Sequence, residues 1–405
     1  MTLGNSLAEL HARYRPQRVA IVHDWLVVNG GAEKVLHALI KAFPQAELFT
    51  LVNFMPRETA PWLSAQRIHT SFLQRLPWAR RYYRHCLPLM PYAIEQFDLR
   101  DFDLVISSSH AVAKGVHTHP DQTHICYCHT PMRYAWDMKE SYLADASFRI
   151  PLMETYVRAT LKRLRQWDYF SATQVDHFIA NSHNVAKRIA KYYRREASVI
   201  HPPVDIEHYQ LSKQPREDYY LAASRLVPYK RLDLIINAFA GMPQRKLKIV
   251  GDGPEGVHLA QLADGCPNIE LLGYQTDAQL TQLMAKAKGF VFAANEDFGI
   301  LPLEAQACGT PVIAYGKGGA LETVRGDPAN PCATGLWFNE QTVVSLQAAI
   351  EHFEMLTFSP EACRQHAETF SYQQFWRALA YELDKRFNKD GQSLAKEKQR
   401  DQSAD

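Results

Sequence analysis

The sequence alternates short apolar runs with segments of helical periodicity, and this alternation occurs twice along the chain. In the first half, the apolar run Val19–Val22 is followed by apolar residues at helical spacing from Val35 to Phe43. The alternation restarts with the run Tyr219–Ala223, after a polar, proline-containing junction at 198–217. Strands separated by helices form parallel sheets with right-handed crossovers. The pattern therefore predicts two α/β domains, each built on a Rossmann-like, doubly wound parallel sheet.

The length of 405 residues also favours two domains, because a single hydrophobic core stops growing at about 250–300 residues. The expected divisions are an N-terminal extension at 1–17, a first domain at 18–200, a second domain at 201–370, a helix at 371–388 able to cross back to the first domain, and a disordered tail at 389–405. We expect the two domains to face each other across a cleft.

Composition and charge restrict the class of protein. The chain is 46% hydrophobic and 22% charged, as in soluble globular proteins, and its formal net charge of +2 argues against nucleic-acid binding. No apolar run reaches the roughly eighteen residues that span a bilayer. Because Met1–Gln17 lacks the apolar core of a secretory signal, we expect a cytoplasmic protein. The seven cysteines include no C-x-x-C pair, which predicts neither disulfides nor structural zinc.

The segment 67–97 mixes basic and aromatic residues at high density. Its basic members are Arg67, Arg75, Arg80, Arg81, Arg84 and His85, and its aromatic members include Phe72, Trp78, Tyr82 and Tyr83. Such a surface suits docking on anionic lipid headgroups. The alternative is an ordinary amphipathic surface whose arginines are solvated. Three prolines, Pro77, Pro88 and Pro91, exclude one long helix in either case.

The most informative stretch, Asn295–Glu304, places two glutamates around a glycine turn. The apolar run Gly289–Ala294 before it is typical of a buried strand, and Leu303–Cys308 after it is typical of a short helix. A helix start leaves backbone N–H groups unpaired and partly positive, so the turn at 298–301 could seat a phosphate or diphosphate. The two glutamates would then accept hydrogen bonds from sugar hydroxyls. The alternative is a helix with an acidic first turn and no ligand.

Further candidate residues lie where other strands end, at the edge where open α/β sheets bind ligands. Gly30 and Gly31 separate the first strand from the first helix, and His129 ends another strand of the first half. In the second half, Arg225 and Lys230 follow the first strand. Each also has a purely structural interpretation. The glycines could form a tight turn, the histidine could belong to the core, and the two cations could lie in a solvated turn.

In this order and spacing, the motifs resemble the retaining, GT-B-fold glycosyltransferases of family 4, over residues 18–388. The motifs that carry the resemblance are E-D-F-G-I-L-P-L-E at 296–304, Arg225 with Lys230, G-D-G-P-E at 251–255, G-G-A-E at 30–33 and H-T-P at 129–131. The resemblance implies a nucleotide-sugar donor, bound in the crevice between the two domains.

The resemblance also implies a role for each residue. The catalytic residues would be His129, Glu296, Arg225 and Lys230. The two cations would neutralise the donor diphosphate as it leaves, Glu296 would bind hydroxyls of the transferred sugar, and His129 would contact that sugar near the reacting carbon. Donor binding would involve Gly30, Gly31, the backbone N–H groups of Gly299, Ile300 and Leu301, and Glu304 on the ribose. The family's chemistry needs no divalent metal or other cofactor, and retention arises by attack on the face from which the diphosphate leaves.

A narrower resemblance points to a subfamily. His23–Leu26 with Gly30–Glu33, and Cys128–Asp137, resemble bacterial mannosyltransferase-like enzymes that build O-antigen or exopolysaccharide. This resemblance implies transfer of a hexose, mannose from GDP-mannose, to a lipid-linked or growing saccharide. The enzyme would be held peripherally on the anionic, cytoplasmic face of the inner membrane.

Several alternatives remain open at this point. The donor could be another GDP- or UDP-sugar, and the activity could be that of a GT-B sugar-nucleotide epimerase or hydrolase. A nicotinamide dehydrogenase is weighed because Gly251, Gly253 and Gly256 spell G-x-G-x-x-G, but the next strand ends at Leu272-Gly273 without an acidic ribose ligand. The non-enzymatic alternative is a nucleotide-sugar-binding assembly subunit, and the complete set of site residues argues against it.

Overall fold

A computed structural model describes residues 5–14, 17–137, 151–212 and 215–385. These residues divide into two compact units. The first domain contains the chain up to Pro203 together with the segment from Gln373 onward, and the second domain contains Val204–Tyr372.

The first domain is built on a parallel sheet. Its strands are β1 Val19–His23, β2 Glu47–Thr50, β3 Ile68–Thr70, β4 Leu104–Ser109, β5 Thr123–Cys128, β6 His177–Ala180 and β7 Ala197–Val199. They lie in the order β3-β2-β1-β4-β5-β6-β7. The strand order reverses beside β1, so the carboxyl ends of β1 and β4 flank a topological switch point, the place where such sheets bind ligands.

Helices connect these strands. They are α1 Asn5–Tyr14, α2 Gly31–Ala42, α3 Ala79–Tyr82, α4 Met90–Glu95, α5 Pro151–Ser171 and α6 His183–Tyr193. The basic and aromatic segment 67–97 contains two short α-helices, α3 and α4, and the 3₁₀ helices Phe72–Arg75 and Tyr83–Leu89. The prolines therefore break this segment into short pieces, as the sequence predicts.

The second domain repeats the same plan with a second parallel sheet. Its strands are β8 Tyr220–Ala223, β9 Leu247–Val250, β10 Ile269–Gly273, β11 Gly289–Phe292, β12 Val312–Tyr315 and β13 Gly335–Phe338, in the order β10-β9-β8-β11-β12-β13. Its helices are α7 Leu232–Ala240, α8 Gly256–Ala263, α9 Asp277–Lys286, α10 Ile300–Ala307, α11 Ala320–Thr323, α12 Val343–Glu354 and α13 Pro360–Glu368. The switch point here lies between β8 and β11.

Both faces of the second sheet are buried. Along β8, Tyr220 and Ala222 belong to one hydrophobic core and Leu221 and Ala223 to another. Because successive side chains of a strand point to opposite faces, these two cores cover the two sides of the sheet. The continuous apolar runs in the sequence follow from this double burial.

A last helix, α14 at 372–385, belongs to the first domain from Gln373 onward. The indole Nε1 of Trp376 donates a hydrogen bond to the carbonyl oxygen of Ala38 on α2, at 3.0 Å. The ring of Phe375 lies 6.0 Å from that of Tyr127 on β5. The described chain therefore enters the second domain after Pro203 and returns to the first near Gln373.

The predicted fold class, with two doubly wound parallel-sheet domains, is confirmed, but some elements differ from the prediction. The junction predicted at 198–217 begins within β7, which pairs with β6 and is the edge of the first sheet. Helix α13 was not predicted. Helix α10 begins at Ile300 rather than Leu303, because Gly299 adopts a positive φ of 86° that ends the preceding loop.

Two further predictions reach outside the described residues: the tail at 389–405 and the end of the helix predicted at 371–388. Of the N-terminal extension, residues 5–14 form α1, whose Leu10 and Tyr14 are buried. None of the helices in the described part of the chain combines the length and the apolar character of a bilayer-spanning segment.

Candidate active site

In the second domain, the predicted site residues gather at the switch point between β8 and β11. Lys230 lies in a 3₁₀ turn after β8, and Glu296 lies in the loop after β11. The two strands are neighbours, so both loops emerge at the same place on the sheet edge. The Nζ of Lys230 forms an ion pair with Oε1 of Glu296, and both side chains are mostly buried. The structure thus brings together two residues that the sequence predicts to be catalytic.

Arg225 lies in the loop that directly follows β8, and its side chain is exposed. Within the described ranges, its guanidinium makes no ion pair or hydrogen bond with another side chain. The loop itself is firmly held, since the backbone N–H of Leu226 donates to the carbonyl of Asp252 at 3.0 Å. An exposed, unpaired arginine on an anchored loop is well suited to bind an anion such as a diphosphate.

The glycine motif at 251–256 supports this loop. Gly251 and Gly253 both adopt positive φ angles, 147° and 158°. A Cβ atom on Gly251 would lie 1.9 Å from the carbonyl oxygen of Ser224, and one on Gly253 would lie 2.4 Å from that of Leu226. The glycines therefore let two loop backbones touch. This packing accounts for their spacing without a dinucleotide.

The loop that carries Glu296 is braced by the Gly-Gly turn after β12. The backbone N–H of Gly319 donates to the carbonyl oxygen of Glu296 at 2.8 Å. A Cβ on Gly319 would lie 2.2 Å from both Cα and the carbonyl oxygen of Phe298. Only a glycine allows this approach, so the turn holds the glutamate loop in place.

The start of α10 presents the predicted anion seat. Gly299 is the N-cap residue, and no side chain caps the helix there. Ile300 and Leu301, the first helical residues, are partly exposed. The backbone N–H groups at such a helix start have no intrahelical partner, and they carry the positive end of the helix dipole.

Glu304 lies deeper in α10, and only 1% of its surface is exposed. The hydroxyl of Tyr209 donates a hydrogen bond to it. Burial and then the negative charge of Glu304 raise the pKa of Tyr209 well above its ordinary value, so the phenol remains protonated and a donor. Tyr209 was not predicted from the sequence, because it lies 95 positions before Glu304 and in a loop outside α10.

In the first domain, polar side chains gather at the switch point between β1 and β4. The Nε2 of His129 lies 2.8 Å from the Oγ of Ser108, and the same Oγ lies 3.1 Å from the Nδ1 of His23. The amide of Asn181 donates to the carbonyl oxygen of His129 at 2.9 Å. His129 is therefore held through both its ring and its backbone.

Asp24 and His110 form a second pair beside this one. The carboxylate of Asp24 accepts hydrogen bonds from four successive backbone N–H groups, those of residues 110–113, at 2.6–3.1 Å. The Nδ1 of His110 lies 2.9 Å from its Oδ2. Although burial disfavours the imidazolium, the charge of Asp24 raises the pKa of His110. Burial and then the positive charge of His110 lower the pKa of His129 well below its ordinary value, so His129 is neutral at neutral pH.

Gly30 and Glu33 complete this group of residues. Gly30 is the N-cap of α2, and its N–H donates to Oε2 of Glu33 at 2.9 Å, which is one half of a capping box. The other oxygen of Glu33 lies 3.6 Å from the Nε2 of His23. Of the predicted residues, Gly30, Gly31 and His129 thus belong to the first domain and the others to the second. The predicted crevice between the domains stays a prediction.

Four further residues of this group were not predicted as site residues from the sequence: Asp24, Glu33, Ser108 and His110. All four are polar residues at or just beyond the carboxyl ends of β1 and β4, or in the first turn of α2. Ligands bind at this position beside the reversal of strand order, so the position alone could have identified these residues as site candidates.

Comparison with known proteins agrees with this geometry. The first domain matches the family model described as "Glycosyltransferase Family 4" over residues 29–208. The second matches "Glycosyl transferases group 1" over residues 204–370. Relatives named D-inositol 3-phosphate glycosyltransferase, from Mycobacterium marinum and Mycobacterium tuberculosis, are 28% identical over 235 residues, or 51% of this chain. The chain spans about half the length of these curated relatives, 49% and 48% respectively.

Solved structures share the fold. Sucrose-phosphate synthase from Thermosynechococcus elongatus superposes with a TM-score of 0.67 at 16% identity, covering 92% of this chain and 99% of that one. Anabaena HepE, solved in complex with UDP-glucose, superposes with a TM-score of 0.62 at 18% identity, covering 91% of this chain and 99% of that one.

The fold and these matches define a class of protein, the two-domain glycosyltransferases of the GT-B fold. Within that class, the first domain matches the family 4 model and the second matches the group 1 model, so the chain has the fold of the group 1 and family 4 glycosyltransferases. The family resemblance noted in the sequence is confirmed at this level.

Proposed function

We propose that this protein transfers a hexose from a nucleotide-sugar donor to a saccharide acceptor, with retention of configuration. The observation that carries the proposal is the Lys230–Glu296 ion pair at the switch point of the second domain, four residues before the open start of α10. A cation and uncapped backbone N–H groups suit a diphosphate, and a neighbouring carboxylate suits sugar hydroxyls.

The chemistry follows from these groups. Arg225 and Lys230 stabilise the negative charge that develops on the departing diphosphate, and the start of α10 adds fixed dipoles. The bond between the anomeric carbon and the diphosphate oxygen breaks, and a bond to the acceptor oxygen forms on the same face. The acceptor's proton passes to the leaving diphosphate. We propose that Glu296 accepts hydrogen bonds from the transferred sugar, that Glu304 binds the ribose, and that His129 contacts the sugar.

We further propose that transfer needs no divalent metal, because Arg225 and Lys230 supply the positive charge that a metal would otherwise provide. Saturating chelator should leave the initial rate of transfer unchanged. Loss of activity in chelator that returns with added Mg²⁺ or Mn²⁺ would contradict this part of the proposal.

For the donor, we propose GDP-mannose, on the basis of the subfamily resemblance at His23–Leu26 and Cys128–Asp137. A UDP-sugar is the second candidate, supported by the complex of Anabaena HepE with UDP-glucose. Thermal-shift measurements with GDP, UDP and their sugars separate the two, since a ligand at a hundred times its Kd stabilises by about 2.7 kcal/mol. Stabilisation by GDP and GDP-mannose alone supports the first, and stabilisation by UDP compounds alone replaces it with the second. If neither nucleotide changes the melting temperature, the proposed donor binding is contradicted.

A transfer assay then tests the reaction. Radiolabelled hexose should move from donor to an added lipid-linked or free saccharide, and donor consumption should depend on that acceptor. Acceptor-independent release of free sugar would indicate a hydrolase, and interconversion of the donor would indicate an epimerase. A dehydrogenase would instead reduce or oxidise a nicotinamide cofactor.

We also propose that the segment 67–97 docks the protein on the anionic, cytoplasmic face of the inner membrane, where a lipid-linked acceptor would lie. Trp78 is 78% exposed and has a φ of 58°, a left-handed conformation that costs a non-glycine residue about 1–2 kcal/mol. Beside it in sequence, Arg80, Arg81 and Arg84 are exposed. An outward-facing tryptophan among arginines matches the charge and the interfacial polarity of anionic headgroups.

Co-sedimentation with vesicles tests this docking. The triple charge reversal of Arg80, Arg81 and Arg84 to Glu should abolish binding to phosphatidylglycerol vesicles. The same reversal at three exposed residues of the α6 region, Lys187, Lys191 and Arg194, changes the net charge equally and should preserve binding. Equal sedimentation of wild type and the first variant, or equal loss in both variants, would contradict docking through this segment.

A further inference from the structure

A row of buried polar groups links the start of α2 to His129 in the first domain. Glu33, His23, Ser108 and His129 are 4%, 0%, 0% and 8% exposed. The contacts along the row are Oε1 of Glu33 to Nε2 of His23 at 3.6 Å, Nδ1 of His23 to Oγ of Ser108 at 3.1 Å, and Oγ of Ser108 to Nε2 of His129 at 2.8 Å. Because His23 and Ser108 in the middle of the row are fully buried, their side-chain hydrogen bonds can be made only with neighbouring groups of the protein.

The contacts along this row can be assigned to hydrogen-bond donors and acceptors, beginning at Glu33. Although burial favours its neutral form, contact with His23 lowers the pKa of Glu33 below its ordinary value, so it is a carboxylate and can only accept. At 3.6 Å its contact with His23 is electrostatic rather than a hydrogen bond. A proton on Nε2 of His23 is still favoured, because a lone pair there would be repelled by the carboxylate. With a single proton on the His23 ring, held at Nε2, Nδ1 is an acceptor.

The remaining assignments follow from the single proton of the Ser108 hydroxyl. It is donated to Nδ1 of His23, so the Ser108 oxygen accepts from Nε2–H of His129. The Nδ1 of neutral His129 is left without a proton, and no group of the described chain donates to it.

We propose that Glu33, His23 and Ser108 are positioning residues that fix His129 in its Nε2–H tautomer, so that its Nδ1 accepts a hydrogen bond from a hydroxyl of the bound sugar. The identity of that ligand rests on the proposed function. The tautomer itself depends only on contacts within the first domain. The two ring nitrogens of His129 then have different partners, because Nε2–H donates to Ser108 and Nδ1 accepts from the ligand.

The variant Glu33→Gln should reverse the tautomer. One oxygen of Glu33 accepts from the N–H of Gly30 at 2.9 Å, so the glutamine must keep its carbonyl oxygen there and turn its NH₂ group toward His23. The Nε2 of His23 then becomes an acceptor and its Nδ1 a donor. The Ser108 hydroxyl donates to Nε2 of His129 instead, and the proton of His129 moves to Nδ1.

Long-range ¹H–¹⁵N correlation spectra of the full chain, with ¹⁵N-labelled histidine and no donor, read this out directly. At neutral pH, wild-type His129 should show a protonated Nε2 and an unprotonated Nδ1, and Glu33→Gln should exchange the two signals. A protonated Nδ1 in wild type, or an unchanged pattern in Glu33→Gln, overturns the proposal. The signals are assigned with His129→Gln.

A matched control lies in the same domain. Glu382 on α14 lies 3.2 Å from Nε2 of His177, another buried glutamate–histidine contact. Glu382→Gln should change the signals of His177 and leave those of His129 unchanged. A second variant, Ser108→Ala, cuts the row and should give His129 a mixture of tautomers, so the proposal remains testable if Glu33→Gln folds poorly. A single wild-type tautomer in Ser108→Ala would overturn the role of the row.

A kinetic measurement separates this proposal from the proposed function. If Glu33→Gln reverses the tautomer, kcat for sugar transfer should fall at least tenfold while the Kd for the nucleoside diphosphate alone stays within twofold. A reversed tautomer with unchanged kcat keeps the tautomer assignment and removes His129 from sugar contact. Absence of any transfer in wild type, with the expected tautomer present, contradicts the proposed function alone.

Discussion

Lys230 and Glu296 neutralise each other in a mostly buried setting, and each is proposed to serve the donor when it binds. Lys230→Ala removes a cation from the diphosphate and leaves Glu296 without its partner. We expect transfer to fall by about 10²–10³-fold, the usual cost of removing one group that stabilises transition-state charge. Steady-state kinetics measure this, and circular dichroism verifies the fold. Lys288→Ala, which removes an ion-paired lysine at the amino end of β11, is the matched control and should retain activity. Equal rates in both variants would contradict the proposed role.

The buried charge of Asp24 is stabilised by four backbone N–H groups and by His110, so we expect its removal to destabilise the first domain. Asp24→Asn places an NH₂ group against those N–H donors and leaves His110 without its counter-charge. We expect the free energy of unfolding to fall by about 3–5 kcal/mol, as when one partner of a buried ion pair is removed. Urea denaturation measures the change. Asp98→Asn, which alters an exposed pair with Arg100, should have little effect.

The same pair should make stability depend on pH. Although burial opposes both charges, mutual attraction lowers the pKa of Asp24 and raises that of His110. The Asp24 contribution is present above its unfolded pKa of 3.8 and is lost as pH falls through its folded pKa. The His110 contribution is present below its unfolded pKa of 6.5 and is lost as pH rises through its folded pKa. The difference in stability between wild type and Asp24→Asn should therefore be largest between pH 3.8 and 6.5, and it should shrink as pH rises through the folded pKa of His110 or falls through that of Asp24. A difference that grows as pH rises above 6.5 would contradict this account.

At the scale of elements, two glycine turns hold the loops of the candidate site. Gly319→Ala would place a Cβ 2.2 Å from the backbone of Phe298, so the glutamate loop must move. We expect a loss of about 1–3 kcal/mol in stability, as in other overpacked sites, and a clear loss of nucleotide-induced thermal shift. In the control variant Gly256→Ala, in α8, the new Cβ would lie 3.7 Å from a side-chain carbon of Leu226, an ordinary contact. This variant should keep the wild-type stability and the nucleotide-induced thermal shift. Wild-type thermal shifts in Gly319→Ala would show that the loop tolerates displacement.

The elements also show what sequence reasoning can reach. Strand β11 begins at the predicted Gly289 and ends two residues before the predicted Ala294, because a strand buried on both faces leaves a continuous apolar run. Helix α13 was missed because few of its residues are buried, although Ser359 and Pro360 are a typical helix start. The partners of His129 were missed for a different reason. Ser108 and His23 lie on separate strands, and only the strand order β1-β4-β5 makes them neighbours.

At the scale of the whole molecule, α14 ties the end of the described chain to the first domain. Trp376 packs against α2 and is 8% exposed. Trp376→Ala should destabilise the first domain by about 3–5 kcal/mol and leave the second nearly unchanged. Hydrogen-exchange mass spectrometry tests this, since peptides of β1 and β4 should lose protection and those of β8 and β11 should not. Tyr381→Ala, on the same helix but 66% exposed, is the control. Equal loss of protection in both domains would contradict the assignment of α14 to the first.

The position of α14 has a consequence for synthesis. A ribosome releases residues 204–372, which contain the whole second domain, before it releases the residues from Gln373 onward that complete the first. The domain that begins earlier therefore receives its last element later, and the second domain is the first to have all of its residues available. During that interval, the surface of α2 that receives Trp376 is uncovered on the nascent chain.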